Sequence, residues 1–230
     1  MAETKAGAPT GRFTTGSTMR HVAVMTLTGS LGLSFMFLID FATLFYVSLL
    51  GDETLTAGVG FAWAVQFFTI SAGIGLSIAA LALVSRALGA REIDKARRMA
   101  TASICITVVL LATIAVGVLI FRREILTLIS AIGESGDVAD RFLLISVPSL
   151  PFVGLGMITS TILRATGDAK RAMYVTMIGG MAAMVLDPLL IFTMELGVDG
   201  AAYAIVLSRM ISSCCGLYFC IRVHGLLAPP

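Results

Sequence analysis

The stretch 177–191 reads M-I-G-G-M-A-A-M-V-L-D-P-L-L-I and sets one aspartate, Asp187, in a segment otherwise free of charge. No other charged residue occurs anywhere in 172–194. A run of this length and composition has the dimensions of a bilayer-spanning helix, which needs about 20 residues for a core of about 30 Å. Asp187 then lies within hydrocarbon, where an ionisable side chain costs about 3 kcal/mol on insertion scales. A group kept at that cost reads first as functional. Pro188 disfavours helical geometry at Asp187, clashes with the carbonyl of Met184, and leaves backbone oxygens in need of a partner. A carboxylate beside freed carbonyls suits a proton or a small hard cation, with sodium the metal candidate at Asp187. The plainer alternative is a kinked helix whose aspartate bonds a neighbour.

Working outward, the whole chain has this character. It is 57% hydrophobic and 13% charged with mean hydropathy +0.97, where soluble domains average about 25% charged. Six windows are long enough to span a bilayer: 21–50 with one charge at Asp40, 54–85, 99–121, 142–163 bent at Pro148 and Pro151, 172–194, and 200–221 with one charge at Arg209. The stretch 124–132 is too short to span and reads as an interfacial helix or loop. The expected fold is an all-α membrane protein of six transmembrane helices. Residues 1–18 read as a flexible cytoplasmic tail, 19–224 as a six-helix lobe, and 225–230 as a second tail.

Orientation follows from Lys and Arg. With a cytoplasmic N-terminus, twelve face inside (Lys5, Arg12, Arg20, Arg86, Arg91, Lys95, Arg97, Arg98, Arg164, Lys170, Arg171, Arg222) and three outside (Arg122, Arg123, Arg141), with Arg209 completing the sixteen. The expectation is a multi-pass protein of the plasma or inner membrane with both termini cytoplasmic. The net charge of +2 carries no nucleic-acid signal. The four cysteines sit in apolar segments without a C-x-x-C pair and read as small hydrophobes. Gly75, Leu76 and Ser77 superficially resemble a serine protease fragment, but the two histidines, His21 and His224, fall at the membrane edges, and H-E-x-x-H and P-loop motifs are absent. The reading is a non-enzyme without a cofactor.

The buried charges fall at one depth. Asp40 precedes the turn at Gly51 by eleven residues, roughly 16 Å of helix. Asp187 lies ten residues before Gly197 and Arg209 nine after Gly200, roughly 15 and 14 Å. Gln66, twelve residues into the second window, roughly 18 Å deep, joins them. Arg209 is too far from either surface to snorkel and needs an internal partner; one reading pairs it with an aspartate as a static bridge. Two carboxylates and one guanidinium leave one negative charge, suited to taking up and releasing one proton or one sodium ion. Asp40 alternatively bonds a hydroxyl such as Thr43, and Gln66 alternatively serves as interhelical glue.

The segments L-V-S-R-A-L-G-A at 83–90, I-L-R-A-T-G-D-A-K at 162–170, L-D-P-L-L-I-F at 186–192 and G-V-D-G-A-A-Y-A at 197–204 occur in the order and register of one lobe. The chain resembles the amino-terminal lobe of a multidrug and toxic compound extrusion (MATE) transporter over nearly all of 19–221. The resemblance implies an antiporter that expels amphipathic, often cationic, organic compounds in exchange for protons or sodium, with the carboxylate at Asp187 in the cation site. Three positions depart from the family pattern. Ala183 stands where an Asn is common and Ile205 where a Thr is common. The helix-one aspartate is expected at the position of Thr43, while Asp40 lies one turn earlier on the same face. Family members carry two lobes, so the expectation is a half-sized unit forming a parallel homodimer in the bilayer. The alternatives are a lipid flippase of related architecture, which would want a strongly basic cavity, and a truncated, non-transporting fragment.

Overall fold

The computed structural model describes residues 18–223. The expected tails, 1–18 and 225–230, fall outside the described residues except for Thr18, where the first helix begins. Among the described residues every regular element is helical: α1 (Thr18–Ser48), α2 (Glu53–Gly89), α3 (Ile93–Leu128), α4 (Glu134–Ser146), α5 (Leu150–Ala165), α6 (Ala169–Pro188) and α7 (Gly197–Tyr218). A 3-10 turn, Val147–Ser149, joins α4 to α5 at Pro148, so the two form one bent span. A π-helical segment, Leu189–Thr193, continues α6 past Pro188, and another, Phe219–Val223, ends α7. The result is six membrane-spanning segments and an all-α membrane protein.

Two expectations are corrected. The stretch 124–132 is not a separate interfacial element, because α3 runs unbroken through Arg122, Arg123 and Glu124 to Leu128. These charged residues are good helix formers, and Arg122 is held by an ion pair to Asp140 on α4 at 2.7 Å. The fourth span likewise starts at Glu134 rather than near residue 142. Charge-free windows mark the hydrocarbon core and miss the turns of helix beyond it. With 37 residues, α2 is about 55 Å long and outreaches the bilayer core.

Three helices end alike. After α5 the Gly167 N–H bonds the Arg164 carbonyl at 3.0 Å and the Asp168 N–H bonds the Leu163 carbonyl at 3.0 Å, a Schellman closure. Gly167 takes the left-handed conformation this requires, with φ +85°. After α2 and α3 the same position is filled by Arg91 and Ser130, at φ 61° and 60°. Asp168 then caps α6, accepting from the Arg171 N–H at 3.2 Å.

Packing is not in chain order. α1 lies along α6 and only sparsely against α2, while α2 packs on α3, α4 and α5, and α7 packs on α6, α5 and α4. Gly200 lets α7 approach the segment after Pro188, since a Cβ there would meet the Leu190 carbonyl oxygen at 2.6 Å. The apolar core divides in two. One cluster, including Val59, Phe142, Leu150 and Val198, lies toward the acidic end of the bundle; the other, including Val84, Ile162, Ala172 and Cys220, lies toward the basic end. Polar side chains on several helices fall between the two or at their boundary. Outward faces are apolar as well, with Phe37 71% and Phe41 67% exposed on α1, as a lipid-facing surface requires.

Candidate functional site

The polar layer is built from residues that each lie mid-span. Asp187, the last but one residue of α6, is 1% exposed. Its Oδ2 accepts a hydrogen bond from the Thr43 hydroxyl of α1. Its Oδ1 is buried and has no partner among the described residues. A sealed carboxylate oxygen without a donor is costly, and a proton, a cation or a further donor would offset that cost. Ala183, one turn before Asp187, is buried and offers no donor.

A second polar group surrounds Arg209. Its Nη2 donates to Gln66 Oε1 at 2.6 Å, and its Nη1 donates to Ser149 Oγ at 2.8 Å and the Ser146 carbonyl at 3.2 Å. Gln66 is fixed in turn, its Nε2 donating to Ser146 Oγ at 3.2 Å. The ion pairs of the described residues lie at the two ends of the bundle, and none includes Arg209. The expected bridge between Arg209 and an aspartate is therefore absent among the described residues.

The sequence-level candidates thus separate. Asp187 and Thr43 meet, as do Gln66 and Arg209, but among the described residues no hydrogen bond joins the two pairs. Asp40 touches neither. It is exposed on α1, though it is within electrostatic range of both Asp187 and Arg209. Ser146 and Ser149 were not singled out from sequence. The only signal was a pair of serines flanking Pro148, where a 3-10 turn brings both to the bundle interior. Among the described residues, no group of three His, Cys, Asp or Glu side chains converges as a metal cluster would. All four cysteines are free.

Six apolar spans with ionisable side chains at mid-depth define a multi-pass α-helical membrane protein. The MatE family model matches residues 30–189, and the chain belongs to that family of transporters, corresponding to its amino-terminal lobe. Among similar proteins, an FAD transporter of Shewanella oneidensis is 25% identical over 96% of this chain and 48% of its own length. The multidrug export protein MepA of Staphylococcus haemolyticus is 28% identical over 88% of this chain and 44% of its own. A crystal structure of MATE in the bent conformation superposes with TM-score 0.86 and 27% identity, over 94% of this chain and 48% of that one. The chain spans about half the length of the relatives it matches.

Proposed function

We propose that this chain works in cation-coupled efflux of amphipathic organic compounds, and that Asp187 is the group that exchanges the coupling proton or sodium ion. The observation that carries the reading is the buried Asp187 Oδ1 without a donor among the described residues, beside an Oδ2 held by Thr43. One oxygen is thereby fixed in place and the other is left to receive a cation. The π-helical turn after Pro188 gives α6 an irregular end next to the carboxylate, a common feature of functional sites within helices. Multidrug export by the MepA relative supports the substrate class. In liposomes holding the purified protein, an imposed gradient of a cationic drug should drive proton or sodium movement. Drug flux with no accompanying ion movement would refute the coupling.

A single lobe offers one wall of a substrate path. Asp40 supports a second wall facing α1, because an exposed carboxylate at mid-membrane depth cannot face lipid without a large cost. We infer that a second copy of the chain supplies it, as a parallel homodimer with both termini and the basic end of each lobe in the cytoplasm. Cysteines introduced at 53, 134 and 199 should then react with an impermeant reagent from outside, while those at 92 and 168 should not. Native mass spectrometry should find dimers. A strictly monomeric species that transports would rule the dimer out, and a monomer without transport would favour a non-transporting fragment.

A further inference from the structure

Arg209 is left over by the coupling site, and its surroundings are unusual for a charged group within a membrane span. All three of its partners are neutral acceptors: the Gln66 amide oxygen, the Ser149 hydroxyl oxygen and the Ser146 carbonyl. The two serine hydroxyls are themselves engaged as donors. Ser149 Oγ donates to the Ser146 carbonyl at 2.6 Å, Ser146 Oγ donates to the Phe142 carbonyl at 2.7 Å, and Gln66 Nε2 donates to Ser146 Oγ. With its hydrogen engaged, the Ser149 hydroxyl has only lone pairs to offer the guanidinium, and Gln66 and Ser146 present carbonyl oxygens to it. Gln66, Ser146 and Ser149 are each at most 3% exposed, so the cradle is rigid and dry. It orients the guanidinium and neutralises none of its charge.

A guanidinium carries five N–H donors, and the three bonds above leave two without a partner among the described residues. Nη1 makes two of the three bonds and Nη2 one, so Nε and Nη2 keep donors free among the described residues, and an Nε–Nη2 edge can grip a carboxylate in two-point fashion. The charge nearest in influence is Asp40, which is exposed and acts on Arg209 through space without bonding it. A recessed cation with an open hydrogen-bonding edge therefore sits near an exposed anion. This is a dipolar site, and its complement is a molecule with charges of both signs.

We propose that Arg209 is an anion-recognition residue of the substrate path, and that the preferred substrates are amphipathic zwitterions. Their carboxylate docks against the open Nε–Nη2 edge of Arg209, and their cationic end faces Asp40. This rests on the efflux reading and narrows its substrate class. The plain alternative is that Arg209 only ties α7 to α2 and the 3-10 turn. That role would be indifferent to whether a ligand carries an anionic group.

Rhodamine B and its ethyl ester make the test, since they share a cationic ring system and differ in one carboxylate. Binding is followed by fluorescence anisotropy on the full chain in lipid nanodiscs, without any gradient. The parent should bind rhodamine B about tenfold to a hundredfold more tightly than the ester, the span of a charge-assisted hydrogen-bonded pair. In Arg209→Gln this preference should fall to within about twofold, with ester affinity unchanged. Arg209→Lys keeps the charge without the fork and should retain only part of the preference. The proposal is overturned if the parent does not discriminate between the dyes, if neither dye binds saturably, or if Arg209→Gln weakens both equally. If Arg209→Gln does not fold, the parent comparison and Arg209→Lys still decide. Binding selectivity that depends on Arg209 but is unaccompanied by gradient-driven transport would uphold this inference and sink the efflux reading. Coupled export of the ester with no preference for rhodamine B would do the reverse.

Discussion

Replacing Thr43 by valine removes the one hydrogen bond that the Asp187 carboxylate receives among the described residues, while keeping the shape of the side chain. Both residues are sealed, Thr43 at 2% exposure and Asp187 at 1%, so water cannot take the place of the hydroxyl. The magnitude depends on what Asp187 is when no cation is bound. A hydrogen bond to an ionised group contributes about 1.5–3 kcal/mol, whereas interhelical side-chain bonds in membranes average about 0.6 kcal/mol. A double-mutant cycle of Thr43→Val and Asp187→Asn isolates the term. It is read from unfolding of detergent-solubilised protein in sodium-free alkaline buffer. An ion-exchanging carboxylate requires a coupling energy of about 1.5–3 kcal/mol, or roughly 3–12 °C in Tm for a chain of this size. Thr43→Ser, which keeps the donor, should lose far less. A coupling near 0.6 kcal/mol would show that Asp187 is an ordinary neutral partner of α1, and the reasoning about its open oxygen would fail.

Gly200→Ala should cost about 1–3 kcal/mol, because its Cβ would meet the backbone of Leu190 and Ile191 at 2.6–3.0 Å and backbone cannot step aside. Thermal melts read the loss, and an unchanged Tm would mean that α7 does not seat on that segment. Arg91→Gly should gain about 1 kcal/mol by relieving a non-glycine residue at φ 61°, while Gly167→Ala should lose a similar amount at the matching position after α5. Equal signs for the two substitutions would contradict the shared helix ending.

The six spans were legible because hydrocarbon excludes charge, so each window with at most one charge marks a helix core. Asp187 was legible for the same reason. Counting residues from the turns was enough to bring Asp40, Asp187, Gln66 and Arg209 to one depth, while Thr43 entered only as a hydroxyl beside Asp40 and as the position where the resemblance expects an aspartate. What counting could not supply was how each helix is rotated about its axis. In a water-soluble bundle the apolar stripe points inward, but α1 is apolar on its lipid face too, where Phe37 and Phe41 are exposed. Nothing in that pattern separates the face carrying Thr43 from the direction taken by Asp40. Packing of α1 on α6 decides it, turning Thr43 onto Asp187 and leaving Asp40 in the open. Ser146 and Ser149 were missed because serine is unremarkable in a span until a 3-10 turn at Pro148 aims it inward. The helix ends were missed because Arg122, Arg123 and Arg141 carry helix beyond the apolar windows.

The central claim is that the Asp187 carboxylate exchanges the coupling ion. Asp187→Asn preserves the shape of the side chain and fixes it in a neutral state. The decisive measurement is gradient-driven export of a cationic drug from liposomes by the Asn variant, compared with the parent at equal amounts of folded protein. Export should be abolished while drug binding in the absence of a gradient persists. Export at the parent rate would make Asp187 a structural residue and contradict the account.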